Sequence, residues 1–463
     1  MNWLNQQALQ NPNKKFLNEL TFKEVDQRVT DLAGRLYRFV KDEQRVALYA
    51  NNSEGMAVFY LALQALQIEV LMLNTHLTQE EISQKLKKLK IKRVFSQDDP
   101  FILSQRLGES RVFFTFAEVL QSEIAENVKC ADEYNPEQIA VIMDTSATSG
   151  EYKSVPLRWK QFYSHVQASQ QRLGVTEEDN WLLVLPMYHV SGLTILMRSL
   201  YNGTRITLME KFDEEKTLKL IASGTINMLS LVPTLFMRIV DRIHQHHLRM
   251  VLVSGEFIPK PLVETCLAQN IPIYKSYGMT ETTSQSTTFC VLEHPDKLES
   301  VGLPLPGVTI RIDNPDEEGI GEVLIQSPML MDGYLGKEPL SGVINTQDIG
   351  YLDQEGYLYI LDRRKNIIIS GGENIYPQEI ENVLYANPAV SECAIVGMKD
   401  EKWGQVPVLF VVSSLDDESI LNYLTQKIAK YKLPKRIFHL DELPKNATGK
   451  ILKKNLVEKY NVD

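Results

Sequence analysis

RVALYANNSEGMAVFYLALQALQIEVLMLNTHLTQEEISQKLKKLKIKRVF, residues 45–95, decides the fold. A short apolar run (VALYA) gives way to a helical pattern (EGMAVFYLALQAL), a second apolar run (EVLMLN), an amphipathic charged stretch (TQEEISQKLKKLK) and a third apolar run (RVFS). Runs of strand length alternating with helical patterns predict strand–helix–strand units and a parallel sheet. Thr78 followed by Glu81 has the spacing of a capping box and starts the second helix there. The lysines of KLKKLK read as a solvated helix face.

Downstream, a second region of this kind is expected from Gln138, where IAVIM reads as a strand running straight into the loop TSATSGEYK, residues 145–153. Loops at the carboxyl ends of parallel strands are where open α/β sheets hold ligands. WLLVLPM and TRITLM, with a helix at 190–201 between them, continue the pattern, as do INMLSLV, MVLVSG and IPIYKSYG. From Gly302 the texture changes to short strands with Gly, Pro and Asp turns (VTIRID, GEVLIQS, GYLYILDRR), a β-rich region. After Asp362 comes a tail of about 100 residues, a plausible size for a small α+β domain. It has helices expected at 377–384 and 418–430 and strands around 392–397 and 406–412. The expected fold class is therefore α/β: a large N-terminal domain of α/β subdomains with a β-rich subdomain at 1–362, and a small α+β C-terminal domain at 363–463.

At 463 residues the chain exceeds what one core usually organises. Its formal net charge of −10 argues against a nucleic-acid footprint, which needs a basic face. Cys130, Cys266, Cys290 and Cys393 form no C-x-x-C pair, which disfavours a zinc site and a disulfide framework and fits a reducing cytoplasm. The start of the chain lacks the pattern of a secretory signal, and no later run reaches the ~20 apolar residues of a membrane span. Nothing in composition excludes a homo-oligomer.

Four segments in fixed order carry the chemistry: TSATSGEYK at 145–153, SYGMTE at 276–281, TQD at 346–348 and PKNATGK ending at Lys450. In the first, Thr145, Ser146, Thr148, Ser149 and Lys153 supply hydroxyls and an ammonium suited to phosphate oxygens. In the second, Tyr277 and Gly278 suit a purine face, Thr280 a phosphate oxygen and Glu281 a magnesium ion. Ser254, Gly255 and Glu256 form a turn that faces the purine from the other side, Asp348 and Arg363 suit ribose hydroxyls, and Lys450 brings a cation to developing negative charge. Taken singly, Glu281 is also a solvated carboxylate at a helix start and Tyr277 a core aromatic; their company favours the site. No G-x-x-x-x-G-K-[ST] or G-x-G-x-x-G motif is present, which disfavours a kinase.

Together these segments resemble the adenylate-forming superfamily of acyl-CoA synthetases, luciferases and peptide-synthetase adenylation domains. WLLVLPMYHVSGLTILMRSL (181–200), SYGMTETTSQ (276–285) and DRRKNIIISGGENIYPQEIE (362–381) are most similar to the o-succinylbenzoate–CoA ligases of menaquinone biosynthesis. The resemblance implies ATP and CoA as substrates, magnesium as cofactor and an acyl-adenylate intermediate. Its alternatives are a ligase for another aryl or alkyl acid and a noncatalytic nucleotide-binding relative. It makes Lys450 the adenylation lysine, with Thr280, Glu281 and His189 beside it. His189, Arg198 and Ser284 border the acyl group. Lys365 is the hinge of a mobile C-terminal domain whose second face, Ser370, Gly371, Gly372 and Glu373, meets pantetheine. Several positions depart from the family pattern: Asp144 precedes the phosphate loop, Ala147 and Gln347 stand where glycine is usual, and Asp362 and Asn366 replace glycine and aspartate.

Overall fold

In a computed structural model, which describes residues 2–97, 112–145, 153–446, 449–460 and 462, the opening stretch folds as its pattern dictates. Strands Arg45–Tyr49, Glu69–Met72 and Arg93–Ser96 are parallel neighbours, separated by helices Glu54–Ala65 and Gln79–Lys88. The Thr78 hydroxyl accepts from the Glu81 amide at 3.4 Å while the Glu81 carboxylate accepts from the Thr78 amide at 2.7 Å, closing the capping box. Helix Glu54–Ala65 is buried from Met56 to Ala65, as an all-round apolar helix must be.

Strand Ile139–Thr145 corrects the expected boundary. Rather than opening a second region it completes the first sheet, with Val141 opposite Val70 and Ile142 opposite Leu71. Its first five residues are all buried, so the run needs cover on both faces, which an interior position in this sheet provides. It pairs antiparallel with Lys153–Arg158, so the two ends of the hydroxyl-rich stretch, Thr145 and Lys153, lie opposite one another. The strand order is 112–115, 93–96, 45–49, 69–72, 139–145, 153–158.

The second sheet, of nine strands, begins in the expected region with Asn180–Leu183 and continues through Arg205–Leu208, Met228–Leu231, Met250–Val253 and Ile273–Tyr277. Its far edge is the N-terminal hairpin Lys15–Leu17 and Leu20–Thr21, with Leu17 opposite Ile206. Helix Val190–Asn202 is buried between layers. Its Gly192 permits this: a Cβ there would stand 2.3 Å from the Pro186 carbonyl oxygen.

Four antiparallel strands, Thr309–Asp313, Gly321–Gln326, Val343–Leu352 and Leu358–Arg363, make the β-rich region. Beyond it, strands Ile368–Ser370, Glu373–Ile375, Val390–Asp400 and Gly404–Ser413 form a sheet joined by Arg436–His439. The helix expected to reach residue 430 stops at Thr425, and Ile428 and Leu433 instead pack against the core of this sheet. A helix not anticipated, Lys453–Tyr460, buries Leu456 in the same cluster as Phe410.

Candidate active site

The site begins where Ile273–Tyr277 ends. Gly278 is required there, since a Cβ would lie 1.6 Å from the Ser284 carbonyl oxygen. The chain folds back through Thr283 at φ 54° and Ser284 at φ 88°, left-handed positions that residues other than glycine rarely take. Ser284 donates its amide to the Met279 carbonyl at 3.1 Å and Ser286 donates to that of Tyr277 at 2.8 Å, which pins the strained turn. Thr280 and Glu281 sit at its head.

Glu281 is 7% exposed, and its Oε1 accepts from the Tyr334 hydroxyl at 2.9 Å. The Lys153 ammonium lies over the Tyr334 ring, 5.0 Å from its centre. Tyr334 thus links the phosphate hairpin to the proposed metal carboxylate, a residue that the motifs missed. Its phenol is held well above the usual range by burial and then by Glu281. Among the described residues no group of three or more His, Cys, Asp or Glu side chains converges as a metal cage. A single buried carboxylate linked through Tyr334 to Lys153 fits magnesium, which is commonly held by one or two carboxylates and substrate phosphates.

Asp348 lies opposite Arg363 across strands Val343–Leu352 and Leu358–Arg363. Its Oδ2 accepts from the Tyr277 hydroxyl at 2.5 Å, and Arg363 Nε lies 3.2 Å from its Oδ1. Burial raises the Asp348 pKa, while Arg363 and Tyr277 oppose that rise. The neighbouring Gln347 takes φ 61°, a conformation glycine would adopt without strain, so this departure carries a backbone cost.

Lys450 arrives from the C-terminal unit on a turn closed by the Asn446 amide to the Lys450 carbonyl at 2.8 Å and the Gly449 amide to the Asn446 carbonyl at 2.9 Å. Lys450 is exposed, and its pKa is held below the ordinary value by desolvation first and then by Arg363, with Glu256 and Asp348 pulling the other way. Glu256, expected at the purine, accepts at its Oε1 from the Ile451 amide at 3.1 Å. Ser254 is half-buried and Gly255 takes φ 92°, completing a tight turn.

The second face is turned outward. Gly371, Gly372 and Glu373 are exposed, Ser370 is buried in its strand, and the Gly371 amide donates to the Trp403 carbonyl at 2.8 Å. The two hinge departures answer one another: Asn366 Nδ2 donates to Asp362 Oδ1 at 2.9 Å, and buried Asp362 also accepts from the Arg363 amide at 2.7 Å. Lys365 is exposed, its ammonium brought down to about 8 by desolvation and then by Arg363 and Lys450.

In the phosphate hairpin, Thr145 and Lys153 face each other across the strands. Ser146, Ala147, Thr148 and Ser149 lie outside the described residues. Asp144 points away from the tip: its Oδ2 is 2.6 Å from Lys85 Nζ and its Oδ1 accepts from the Ser154 hydroxyl at 2.7 Å. Lys85, read as part of a solvated face, is instead buried and paired.

His189 caps the start of helix Val190–Asn202, with its Nε2 buried and without a hydrogen-bond partner among the described residues. Burial brings its pKa down to about 4. Arg198 is 2% exposed, not a surface arginine. It donates to Gln285 Oε1 at 2.8 Å, on the loop that carries Glu281, and its guanidinium lies 4.8 Å over the Trp181 ring. Burial lowers its pKa to about 9.

The Lys450 turn, the paired Asp348 and Arg363, and buried Glu281 linked through Tyr334 to Lys153 thus come from separate segments of the chain. Residues 4–335 match the AMP-binding enzyme family and residues 379–450 match the AMP-binding enzyme C-terminal domain, and the chain belongs to this family. It is 51% identical over 456 residues to the 2-succinylbenzoate–CoA ligase of Lactococcus lactis subsp. lactis (strain IL1403), covering 98% of this chain and 100% of that one. Its structure is similar to that of o-succinylbenzoate CoA synthetase from Bacillus subtilis in complex with the acyl-adenylate intermediate OSB-AMP, with a TM-score of 0.91, 33% identity and coverage of 98% of this chain and 97% of that chain. It is also similar to the same enzyme in complex with ATP and magnesium ion, with a TM-score of 0.90, 32% identity and coverage of 98% and 99%.

Proposed function

We propose that this protein is an ATP-dependent acid–CoA ligase that converts o-succinylbenzoate, ATP and CoA to o-succinylbenzoyl-CoA, AMP and pyrophosphate, a step of menaquinone biosynthesis. The observation that carries this reading is that the Lys450 turn of the C-terminal unit docks on the large unit, the Ile451 amide donating to Glu256 Oε1 at 3.1 Å, beside the linked Tyr277, Asp348 and Arg363 side chains. Asp348 and Arg363 hold the ribose hydroxyls, and Tyr277, locked to Asp348, presents its ring to adenine. Lys153 and the hairpin hydroxyls hold the phosphates. Magnesium, when bound, neutralises phosphate charge as pyrophosphate leaves, and Glu281 is the residue that would hold it.

Lys450 steadies the negative charge that grows as the substrate carboxylate attacks the α-phosphorus. The small unit, 363–463, then turns about Lys365 relative to 1–362 and brings the Ser370–Glu373 face to the same site. Two glycines there, at φ 60° and 90°, allow a close backbone approach to pantetheine as the thiol displaces AMP. His189 and Ser284 border the acyl group. Arg198, for which no carboxylate partner exists among the described residues, favours a substrate with a second carboxylate. Among the described residues no helix is long and apolar enough to cross a membrane. We place the enzyme in the cytoplasm, where its four free cysteines stay reduced.

The deciding experiment is an acid panel with ATP, magnesium and CoA, read by product mass. o-Succinylbenzoyl-CoA is the expected product. Turnover of a monocarboxylic acid with o-succinylbenzoate ignored would replace this substrate with another aryl or alkyl acid.

A further inference from the structure

Glu256 is not needed to hold a phosphate, a ribose or a metal in the reading above, yet its carboxylate reaches the C-terminal unit. Its Oε1 accepts from the Ile451 amide at 3.1 Å, the residue directly after the adenylation lysine. A second contact seats the same turn. Gly449, at φ 92°, lies so close to the large unit that a Cβ would stand 2.6 Å from Thr234 Oγ1 and 3.4 Å from Val232 Cγ2. Val232 and Thr234 follow strand Met228–Leu231, and Glu256 follows strand Met250–Val253, its immediate neighbour. Two adjacent strand ends of the large unit therefore form one seat for the lysine turn.

We propose that Glu256, with Thr234, is a latch that holds the small unit in the orientation in which Lys450 enters the site, making Glu256 a positioning residue for adenylation rather than a reader of the purine. The proposal rests on the acid–CoA ligase reading for its kinetic consequence, but the contact itself does not depend on that reading. Glutamine keeps an oxygen that accepts from the Ile451 amide; alanine keeps none. The opposite charges of Glu256 and Lys450 add attraction across the same gap, and Lys445 also faces Glu256 from the turn while Glu381 repels it.

The test compares Glu256→Gln and Glu256→Ala in the full chain. Hydrogen exchange of residues 444–456, without any substrate, reads the latch directly: exchange at Ile451 should quicken about tenfold in Glu256→Ala, the loss of one hydrogen bond, and stay near wild type in Glu256→Gln. Unchanged exchange in Glu256→Ala would overturn the latch whatever the enzyme's substrate. Kinetically, Glu256→Ala should lower the kcat of ATP–pyrophosphate exchange about tenfold with the KM for ATP within twofold. Thioester formation from supplied acyl-adenylate should hold, and Glu256→Gln should recover most of the exchange rate. A raised KM for ATP with kcat intact would make Glu256 a purine contact, and equal loss in both half-reactions would make it structural; either result refutes the proposal. If no acid supports exchange in wild type, the substrate reading fails while the hydrogen-exchange result still decides the latch.

Discussion

Lys85 and Asp144 form an ion pair of 2.6 Å at the base of the phosphate hairpin, with their side chains only 5% and 11% exposed. The acidic residue that looked misplaced before a phosphate loop is thereby neutralised from below. Removing one member of a buried pair strands the other, at a cost of about 3–5 kcal/mol. Lys85→Met should therefore destabilise the protein by roughly that amount and raise the KM for ATP. The double variant Lys85→Met, Asp144→Asn should recover part of both losses. Urea unfolding and ATP kinetics check this, and a double variant no better than the single one would deny the coupling.

Lys450→Ala removes the cation that the small unit brings to Asp348. Adenylation should fall by at least ~100-fold, the effect of losing one transition-state electrostatic donor. Thioester formation from supplied acyl-adenylate should persist, because Gly371 and Gly372 belong to the outward face. Parallel loss in both half-reactions, with the fold intact, would contradict two separate faces.

Gln347 occupies φ 61° beside Asp348. A β-branched side chain is least compatible with that region, so Gln347→Val should destabilise by about 1–3 kcal/mol. Gln347→Gly should be neutral or slightly stabilising, relief of strain offsetting the freer unfolded chain. Thermal or urea midpoints of the two variants distinguish these outcomes. A tolerated valine would show that the turn relaxes.

Arg198→Ala should weaken o-succinylbenzoate use by about 1.5–3 kcal/mol, the worth of a charged hydrogen bond. The KM for ATP should change little. Since Arg198 also bonds Gln285 and stacks on Trp181, the fold must be checked by circular dichroism alongside the kinetics. A rise confined to the KM for ATP would remove Arg198 from the acyl side.

His189 gives a pH prediction. Its folded value, about 4, lies below the ordinary 6.5, so the unfolded chain binds a proton that the folded chain refuses. The resulting stability is fully present above pH 6.5 and is lost as pH falls toward 4, with a slope of about 1.4 kcal/mol per pH unit for one proton. His189→Gln should flatten stability across that window. An unchanged slope would show that the ring is protonated in the folded protein.

Much of this was legible because the signals are local. The capping box at Thr78 and the strand–helix alternation of residues 45–95 need only nearby residues, and each appears in place. Asp348 and Lys450 stood out for their company in ordered motifs, and the turn that carries Lys450 docks on the large unit through the Ile451 amide and Glu256. Strand Ile139–Thr145 was assigned to the wrong sheet because its partner, Glu69–Met72, precedes it by two helices and two strands among the described residues and an apolar run carries no label for its neighbour. Tyr334 and Glu281 meet across a long separation, which no motif records. Lys85 did leave a trace: it lies on the same helical face as Ile82 and Leu89, both buried, so the period of the helix marked it as an interface residue.

Residues 329–335 tie the strand Lys153–Arg158 to the turn that carries Glu281. The Met329 carbonyl accepts from the Thr283 hydroxyl at 2.7 Å, the Met331 amide donates to the Glu281 carbonyl at 2.8 Å, and the Leu335 amide donates to the Ser154 carbonyl at 2.9 Å. One short run of backbone is thus a spacer of fixed length between the strand that begins at Lys153 and the turn that carries Glu281. Chain length there is constrained as sharply as residue identity. One inserted residue would shift Tyr334 off Glu281 and change the distance from Lys153 to Glu281, while an insertion at the exposed turn 314–318 would leave that distance untouched.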